Sequence, residues 1–191
     1  LARSDDERTR SLAPTILSTI DRAARLASDA IQYVRDQPTP RLAEVDLADL
    51  VDEVGIALQE QGEESTPNVV RQWVNAVGEH QHIRADRDLL YRVFVNLGRN
   101  AFEAGAHTVT VRRSANGGYT IVDVADDGPG VPQAITAQIF RPFAVGGRAG
   151  GAGLGLAIAR DLVRAHGGDI ALMETSASAT TFRFTLPFGG R

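Results

Sequence analysis

The sequence contains no lysine and no cysteine, although it is 191 residues long and carries twenty basic residues, all of them arginine. Without lysine, the chain lacks the residue that a Walker A phosphate loop, a eukaryotic-type protein kinase and a Schiff-base enzyme each require. Without cysteine, it can form no disulfide, no thiolate zinc site and no cysteine nucleophile. These absences exclude several common classes of enzyme before any motif is considered.

Long apolar runs and a strong charge of one sign are missing as well. No apolar stretch approaches the roughly 18 residues of a membrane-spanning helix, and no signal peptide opens the chain. The net charge of −4 does not point to nucleic acid as a partner. Hydrophobic residues make up 43% of the chain, which is enough for the core of one domain with an appendage. Because the first residue is Leu1 rather than methionine, we expect a fragment of a longer protein.

The appendage is predicted at the N-terminus. Apolar residues recur at helical and heptad-like spacing over 11–37, which predicts a long amphipathic helix. Pro38 and Pro40 follow, and two prolines stop helix and strand alike. We therefore expect an N-terminal segment of residues 1–40 and a separate domain over residues 41–191.

The second segment alternates between helical and strand patterns. Helices are expected over 46–59, with Asp46 as N-cap, over 86–104 and over 156–165, and strands over 69–77, 81–85, 107–113, 119–125, 169–174 and 181–187. Loops are expected over 62–67, over 114–118 and, much longer, over 126–155. This order predicts an α/β (α+β) two-layer sandwich with a mixed or mainly antiparallel sheet.

One polar helix face is the first candidate for chemistry. Asn96, Asn100 and Glu103 are spaced by four and three residues, so they share a face of the helix. Amide and carboxylate oxygens are ligands that Mg²⁺ accepts. A simple solvated helix surface would show the same pattern.

Two glycine-rich segments are the other candidates. The run DDGPG begins at Asp126, at the end of a strand, where a carboxylate can accept from an amino group and glycines admit a flat ligand. The run GGAGLGL over 150–156 leads into a helix, and backbone N–H groups at a helix N-terminus bind phosphate. Taken singly, DDGPG is better explained as an ordinary turn, and a flexible loop explains GGAGLGL equally well.

Together and in this order, these segments resemble the ATP-binding (HATPase, Bergerat-fold, GHKL) catalytic domain of bacterial two-component sensor histidine kinases. The helix DLLYRVFVNLGRNAFEA is similar to the family's N box, DDGPG to its first glycine box, IFRPF over 139–143 to its F box, GGAGLGL to its second glycine box, and TTFRFTLP to its closing strand. The likeness covers about residues 46–188. It implies a Bergerat ATP-binding fold with a mixed sheet, here preceded by the long N-terminal helix.

The resemblance also implies a site for ATP and Mg²⁺. Asn100 would give its side-chain oxygen to Mg²⁺, and Asn96 would order water and phosphate where related ATPases carry a glutamate base. Asp126 would accept from the adenine amino group. Gly128, Gly130 and Thr180 would shape the adenine side, Gly151, Gly153, Leu154, Gly155 and Leu156 the phosphate side, and Phe140 and Phe143 would anchor residues 131–150 as a lid.

The sequence departs from the family pattern at two positions. Glu103 stands where many members carry a phosphate-binding lysine, a replacement that we associate with nitrogen-sensor-like kinases. Arg99, Arg141 or Arg148 would then neutralise the phosphates, and we favour Arg148 because it lies beside the second glycine box. Ala152 replaces a frequent hydroxyl residue.

The phosphoacceptor motif of the family, a histidine followed by an acidic residue, Arg or Asn, and Pro, is absent. None of the four histidines, His80, His82, His107 and His166, lies in such a run, and His166 resembles a structural histidine of the family. The resemblance then implies that residues 1–40 hold only the second helix of a dimerisation hairpin. We expect the chain to bind ATP and Mg²⁺ without phosphorylating itself.

The expected partners are the phosphoacceptor domain of a homodimeric parent and a response regulator, with no nucleic acid, in the cytoplasm or the cytoplasmic part of a membrane-bound sensor. Three alternatives stay open. The chain would be an ATPase similar to gyrase B, Hsp90 or MutL, a nucleotide-binding module without kinase activity, or an anti-sigma serine kinase. As an alternative to half of a dimerisation hairpin, the N-terminal helix would simply pack on the domain.

Overall fold

A computed structural model gives the structure of residues 39–65, 70–143 and 153–188. The predicted helix over 11–37 lies outside these described residues, as do Arg148 and Gly151, so the division at residue 40 stays a prediction. The elements in chain order are β1 (Ala43–Asp46), α1 (Leu47–Ser65), β2 (Gln72–Ala76), β3 (His82–Ala85), α2 (Arg87–Ala104), β4 (Thr108–Asn116), β5 (Tyr119–Asp126), α3 (Gln133–Thr136), α4 (Gly155–Ala165), β6 (Ile170–Ser176) and β7 (Ala179–Pro187).

The main sheet has five strands in the order β2-β4-β5-β7-β6. Strand β2 is parallel to β4, and the other pairs are antiparallel. A second, two-stranded sheet joins β1 and β3. The mixed α/β architecture expected from the order of the patterns is therefore confirmed.

The core lies between one face of the main sheet and the long helices. Residues on β7 alternate between buried and half-buried, as a strand with one covered face requires. The Phe94 ring of α2 meets the Phe184 ring of β7 edge to face at 5.6 Å. Burying each such large side chain contributes about 1.5–3 kcal/mol, so the helices are held firmly on the sheet.

Helix α2 lies close to α1 because small residues face the contact. A Cβ atom added to Gly98 would come within 2.5 Å of Leu58 and within 2.7 Å of Trp73. The Trp73 indole Nε1–H donates to the carbonyl oxygen of Val51 at 2.9 Å, which fixes the ring between sheet and helix. These contacts set the position of the helix that carries the two asparagines.

Three sequence expectations about loops were wrong. Helix α1 continues to Ser65, so part of the loop expected over 62–67 is helical. Strand β4 continues to Asn116, so the loop expected over 114–118 shrinks to a two-residue Gly117–Gly118 turn with positive φ at both positions, and β5 begins at Tyr119 as expected. The long loop over 126–155 contains the short helix α3.

Strand β1 was not predicted from the sequence. It has only four residues, too few to establish an alternation, and it forms because β3 pairs with it. Asp46 at its end caps α1, as expected, since its Oδ1 accepts from the backbone N–H of Ala48 at 2.9 Å.

Candidate functional site

Helix α2 begins with a side-chain cap. Asp86 Oδ1 accepts from the backbone N–H groups of Asp88 and Leu89, each at 3.1 Å, and Oδ2 accepts from the N–H of Arg41 at 2.8 Å. Burial alone would raise the pKa of Asp86, but these three backbone hydrogen bonds together lower it. Two backbone N–H groups in the first turn of α2 therefore already have an acceptor within the protein.

The same residue ties α2 to α4. The backbone N–H of Asp86 donates to His166 Nε2 at 3.0 Å, and Nδ1 of this imidazole bonds the Leu162 carbonyl oxygen at 2.7 Å. This pairing requires a neutral ring with its proton on Nδ1. Buried and doubly bonded, His166 acts as a structural link between the two helices.

The polar face of α2 meets the beginning of α4. Asn96 and Asn100 are half-buried, and Glu103 is exposed one turn further along. A Cβ atom added to Gly155 would stand 3.4 Å from Asn96 Oδ1. Two segments that lie far apart in sequence thus bring an amide oxygen to a helix N-terminus, and a glycine leaves space between them.

The N-terminus of α4 has no side-chain cap. Leu154 stands at the N-cap position, and no residue of the first turn is acidic. The first backbone N–H groups of a helix have no partner within the helix. Together with the helix dipole, they form a site suited to an anion.

Asp126 is the last residue of β5. Its Oδ1 accepts from the Gly128 N–H at 2.9 Å, and the buried Thr180, its partner in the β5–β7 register, bonds the carboxylate through its side chain. Burial raises the pKa of Asp126 above its usual value. A half-buried carboxylate of this kind gains from a further hydrogen-bond donor.

The neighbouring Asp127 has a different role. Its Oδ1 accepts from the backbone N–H groups of His107 and Thr108, at 2.7 and 2.8 Å. Burial is the largest single influence and raises the pKa of Asp127, but the hydrogen bonds together outweigh it and lower the pKa. Asp127 therefore holds the backbone in place where α2 is joined to β4.

The first glycine box rests on the hairpin of β6 and β7. A Cβ atom at Gly130, where φ is +77°, would stand 1.9 Å from the carbonyl oxygen of Ser176. The Val131 N–H donates to Thr175 Oγ1 at 2.7 Å. Only glycine permits so close an approach of two backbones, so this hairpin positions the segment after Asp126.

The first aromatic ring of the F box packs against the sheet. Ile139 is buried, and the Phe140 ring meets Phe182 of β7 edge to face at 6.0 Å. The guanidinium of Arg160 on α4 lies over the same ring, 5.1 Å from its centre. Phe140 is therefore held between the sheet and a cation.

The second aromatic residue of the F box has an unusual backbone. Phe143 has φ +60°, which is rare for a bulky residue, and its side chain is 63% exposed. Its N–H donates to the carbonyl oxygen of Gly153 at 3.1 Å. This hydrogen bond joins the end of the F box to the turn that precedes α4.

The structure thus gathers most of the predicted residues into two groups. Around the start of α4 lie Asn96, Gly153, Leu154, Gly155 and Leu156, and around the end of β5 lie Asp126, Gly128, Gly130 and Thr180. Thr175 and Arg160 also support these segments and were not predicted, because their partners are distant in sequence. Among the described residues, no group of three or more His, Asp or Glu side chains is placed to hold a metal ion.

A mixed sheet covered by helices, an uncapped helix N-terminus beside an amide-bearing helix, and a half-buried aspartate at a strand end together fit a nucleotide-binding ATPase domain. The family described as histidine kinase-, DNA gyrase B-, and HSP90-like ATPases matches residues 85–190. The chain belongs to this family. None of the helices in the described part of the chain is long and apolar enough to cross a membrane.

Curated relatives are sensor kinases. The C4-dicarboxylate transport sensor protein DctS of Rhodobacter capsulatus is 34% identical over 86% of this chain and 26% of its own length. The sensory histidine kinase/phosphatase NtrB of the same species is 39% identical over 53% of this chain and 32% of its own. The chain thus spans only about a third or less of these two relatives.

Solved structures agree in fold. The catalytic domain of histidine kinase ThkA has a TM-score of 0.66 and 26% identity, over 78% of this chain and 96% of that domain. Full-length ShkA, solved in complex with AMPPNP, has a TM-score of 0.67 and 28% identity, over 99% of this chain and 39% of that protein. The resemblance to histidine-kinase catalytic domains is confirmed.

Proposed function

We propose that this chain binds ATP with Mg²⁺ and donates the γ-phosphoryl group to a histidine on the dimerisation domain of a sensor histidine kinase. A response regulator would then take the phosphoryl group from that histidine. The observation that carries the proposal is the uncapped N-terminus of α4 beside Asn96, since it offers backbone N–H groups to phosphate where an amide oxygen is also available.

The residues fit such a ligand at both ends. Asp126 would accept from the adenine amino group, while Gly128 would hold this carboxylate through its N–H and Gly130 would keep the segment against the Ser176 backbone. Asn100, one turn from Asn96, would offer its amide oxygen to Mg²⁺, which prefers oxygen ligands and retains several waters. Magnesium supplies charge neutralisation of the phosphates, and the protein supplies positioning.

Phosphate charge would be balanced without lysine. Arg99 on α2 is half-buried and Arg141 in the F box is exposed. Arg148, the arginine that the sequence favours for this role, lies outside the described residues. Glu103, at the position where many relatives carry lysine, would keep this face of α2 acidic. The arginine that takes the lysine's place stays a prediction.

Titration calorimetry with ADP and with a non-hydrolysable ATP analogue, each with and without Mg²⁺, tests binding. We expect Mg²⁺-dependent binding of the analogue, and Asn100→Ala is expected to remove the dependence on Mg²⁺. Asn116→Ala, which shortens an exposed asparagine beside the β4–β5 turn, is the matched control. Equal affinity of Asn100→Ala and the wild type, with and without Mg²⁺, would contradict the role of Asn100.

Phosphoryl transfer is tested by adding an isolated phosphoacceptor hairpin together with labelled ATP. Acid-labile label on histidine supports the kinase, and label on serine supports an anti-sigma kinase. Binding without any transfer to either residue would favour a nucleotide-binding module. Hydrolysis without transfer would favour an ATPase, although Asn96 stands where such relatives carry a glutamate base.

A further inference from the structure

Arg160 is the basic residue of α4 that reaches the F box. Its Nε and Nη2 donate to the two carboxylate oxygens of Asp169, at 3.0 and 3.2 Å, and its guanidinium stands over the Phe140 ring. The side chain is 31% exposed. The bidentate pair fixes the orientation of the guanidinium, so the cation is presented to the ring in one place.

Phe140 is in turn connected to the start of α4. Three residues after Phe140, the N–H of Phe143 donates to the carbonyl oxygen of Gly153. Gly153 has φ +70° and lies two residues before the first residue of α4. Arg160, in the second turn of α4, is therefore connected through the F box to the turn that precedes the same helix.

Arg164 provides an internal comparison. It lies one turn further along α4 and donates to the same Asp169 carboxylate, at 3.2 and 3.3 Å. Its side chain is 50% exposed, and within the described ranges its guanidinium makes no ring contact of the kind that Arg160 makes. The two arginines share a charge, a helix and a partner, and differ in Phe140.

We propose that Arg160 is a positioning residue of the nucleotide site: it holds Phe140 on α4 and thereby fixes the Gly153 turn in the arrangement that receives phosphate. The proposal rests on the proposed function for its consequence, but its structural part stands without a ligand. Arg160 has no contact with the asparagines or Asp126 in this arrangement and does not enter the chemistry.

Hydrogen exchange of residues 139–143 in the nucleotide-free protein tests the structural part. Arg160→Gln should speed the exchange of this segment, including the Phe143 amide, whereas Arg164→Gln should leave it at the wild-type rate. Equal exchange in the two variants would overturn the inference, whether or not the wild type binds ATP. A lack of nucleotide binding by the wild type would instead count against the proposed function.

A double-mutant cycle with Phe140→Leu tests the consequence. Arg160→Gln should weaken binding of the Mg²⁺-loaded ATP analogue by about two- to fivefold, the range of an exposed cation–π contact. Arg160→Lys should restore part of this loss, and Arg164→Gln should cause none. In the Phe140→Leu background Arg160→Gln should have no further effect; an undiminished effect there would mean that Arg160 acts directly on the ligand, contrary to the inference.

Discussion

The N-termini of α2 and α4 face similar electrostatic demands and meet them in opposite ways. At α2, Asp86 accepts from two backbone N–H groups of the first turn. At α4, Leu154 occupies the same position and offers no acceptor. Both helices pack in one core and are linked through His166. The missing cap of α4 is therefore not explained by a poorly packed helix.

Under the proposed function, the difference separates a structural helix end from one that binds phosphate. A cap contributes about 0.5–2 kcal/mol, so leaving it out is costly unless another group uses the free N–H groups. At α4 the glycine at its first position and the asparagine opposite leave space for such a group. We therefore propose that the missing cap marks the phosphate side of the site, and variants that make one helix end resemble the other test this.

The largest effect is expected from placing an acid at the uncapped end. Gly155→Asp should lower the affinity for the Mg²⁺-loaded ATP analogue by more than about 100-fold, because two unit charges 4 Å apart near a protein surface interact by about 4 kcal/mol. Thermal unfolding should show an intact fold, since an acidic residue in a first helical turn gives about 0.3–1 kcal/mol. Calorimetry measures the affinity.

Gly155→Ala is the matched control, because it adds the same Cβ atom, 3.4 Å from Asn96 Oδ1, without a charge. We expect it to keep most of the affinity. Adenosine, which has no phosphate, should bind Gly155→Asp and Gly155→Ala equally well. If ATP too binds both variants equally, the N-terminus of α4 does not face the phosphates.

Intermediate effects should distinguish the two adjacent aspartates. Asp126→Asn should reduce the preference for ATP over GTP by about 10- to 100-fold, the range of a lost charge-assisted hydrogen bond of 1.5–3 kcal/mol. Because burial raises the pKa of Asp126, the neutral side chain should leave the stability of the ligand-free fold unchanged or slightly higher. Competition binding and urea unfolding provide the two readouts.

Asp127→Asn is expected to change the stability of the fold and not the nucleotide preference. It weakens the hydrogen bonds from His107 and Thr108, so the free energy of unfolding should fall while nucleotide preference stays as in the wild type. A change of nucleotide preference in Asp127→Asn, with none in Asp126→Asn, would exchange the two assignments.

The smallest effect is expected at the capped end. Asp86→Ala should lower the free energy of unfolding by about 0.5–2 kcal/mol. Asp86→Asn should retain most of the stabilisation that the cap provides, because asparagine also caps helices. Since the folded-state pKa of Asp86 lies below the ordinary 3.8, its contribution is complete above that pH and is lost as the pH falls through the lower, folded value. Wild type and Asp86→Ala should therefore converge in stability in acid.

Urea unfolding at neutral and acidic pH measures the effect at Asp86. The affinity of folded Asp86→Ala for the ATP analogue should stay within about twofold of wild type, a change of roughly 0.4 kcal/mol. A large loss of affinity with little loss of stability would show that the two helix ends do not have separate roles.

Much of the fold could be predicted because its signals are local. The helix over 86–104 and the strands over 119–125 and 181–187 follow from spacing within a few residues, and Asp46 caps α1 as its position indicates. Strand β1 and the helical end of α1 could not be predicted in this way. Both lie where the local pattern is too short or too polar to decide between helix, strand and loop.

The candidate site was predicted from motifs rather than from geometry. The sequence places Asn96, Asn100, Asp126 and the glycines in order, but it cannot say that Asn96 lies beside Gly155. Nor can it distinguish Asp126 from Asp127, because the two differ in what reaches them from β4 and β7 and not in their neighbours along the chain.

By itself, then, the sequence determined the order of the boxes, the long helices and the exclusion of lysine-dependent chemistry, since each depends on residue type and spacing alone. The tertiary structure decided which helix end stays open, which aspartate is half-buried and which arginine meets Phe140. The physical reason is that burial, hydrogen-bond partners and pKa depend on groups that pack together across 19 to 80 residues of chain, from the pairing of Thr108 with Asp127 to that of Asp86 with His166.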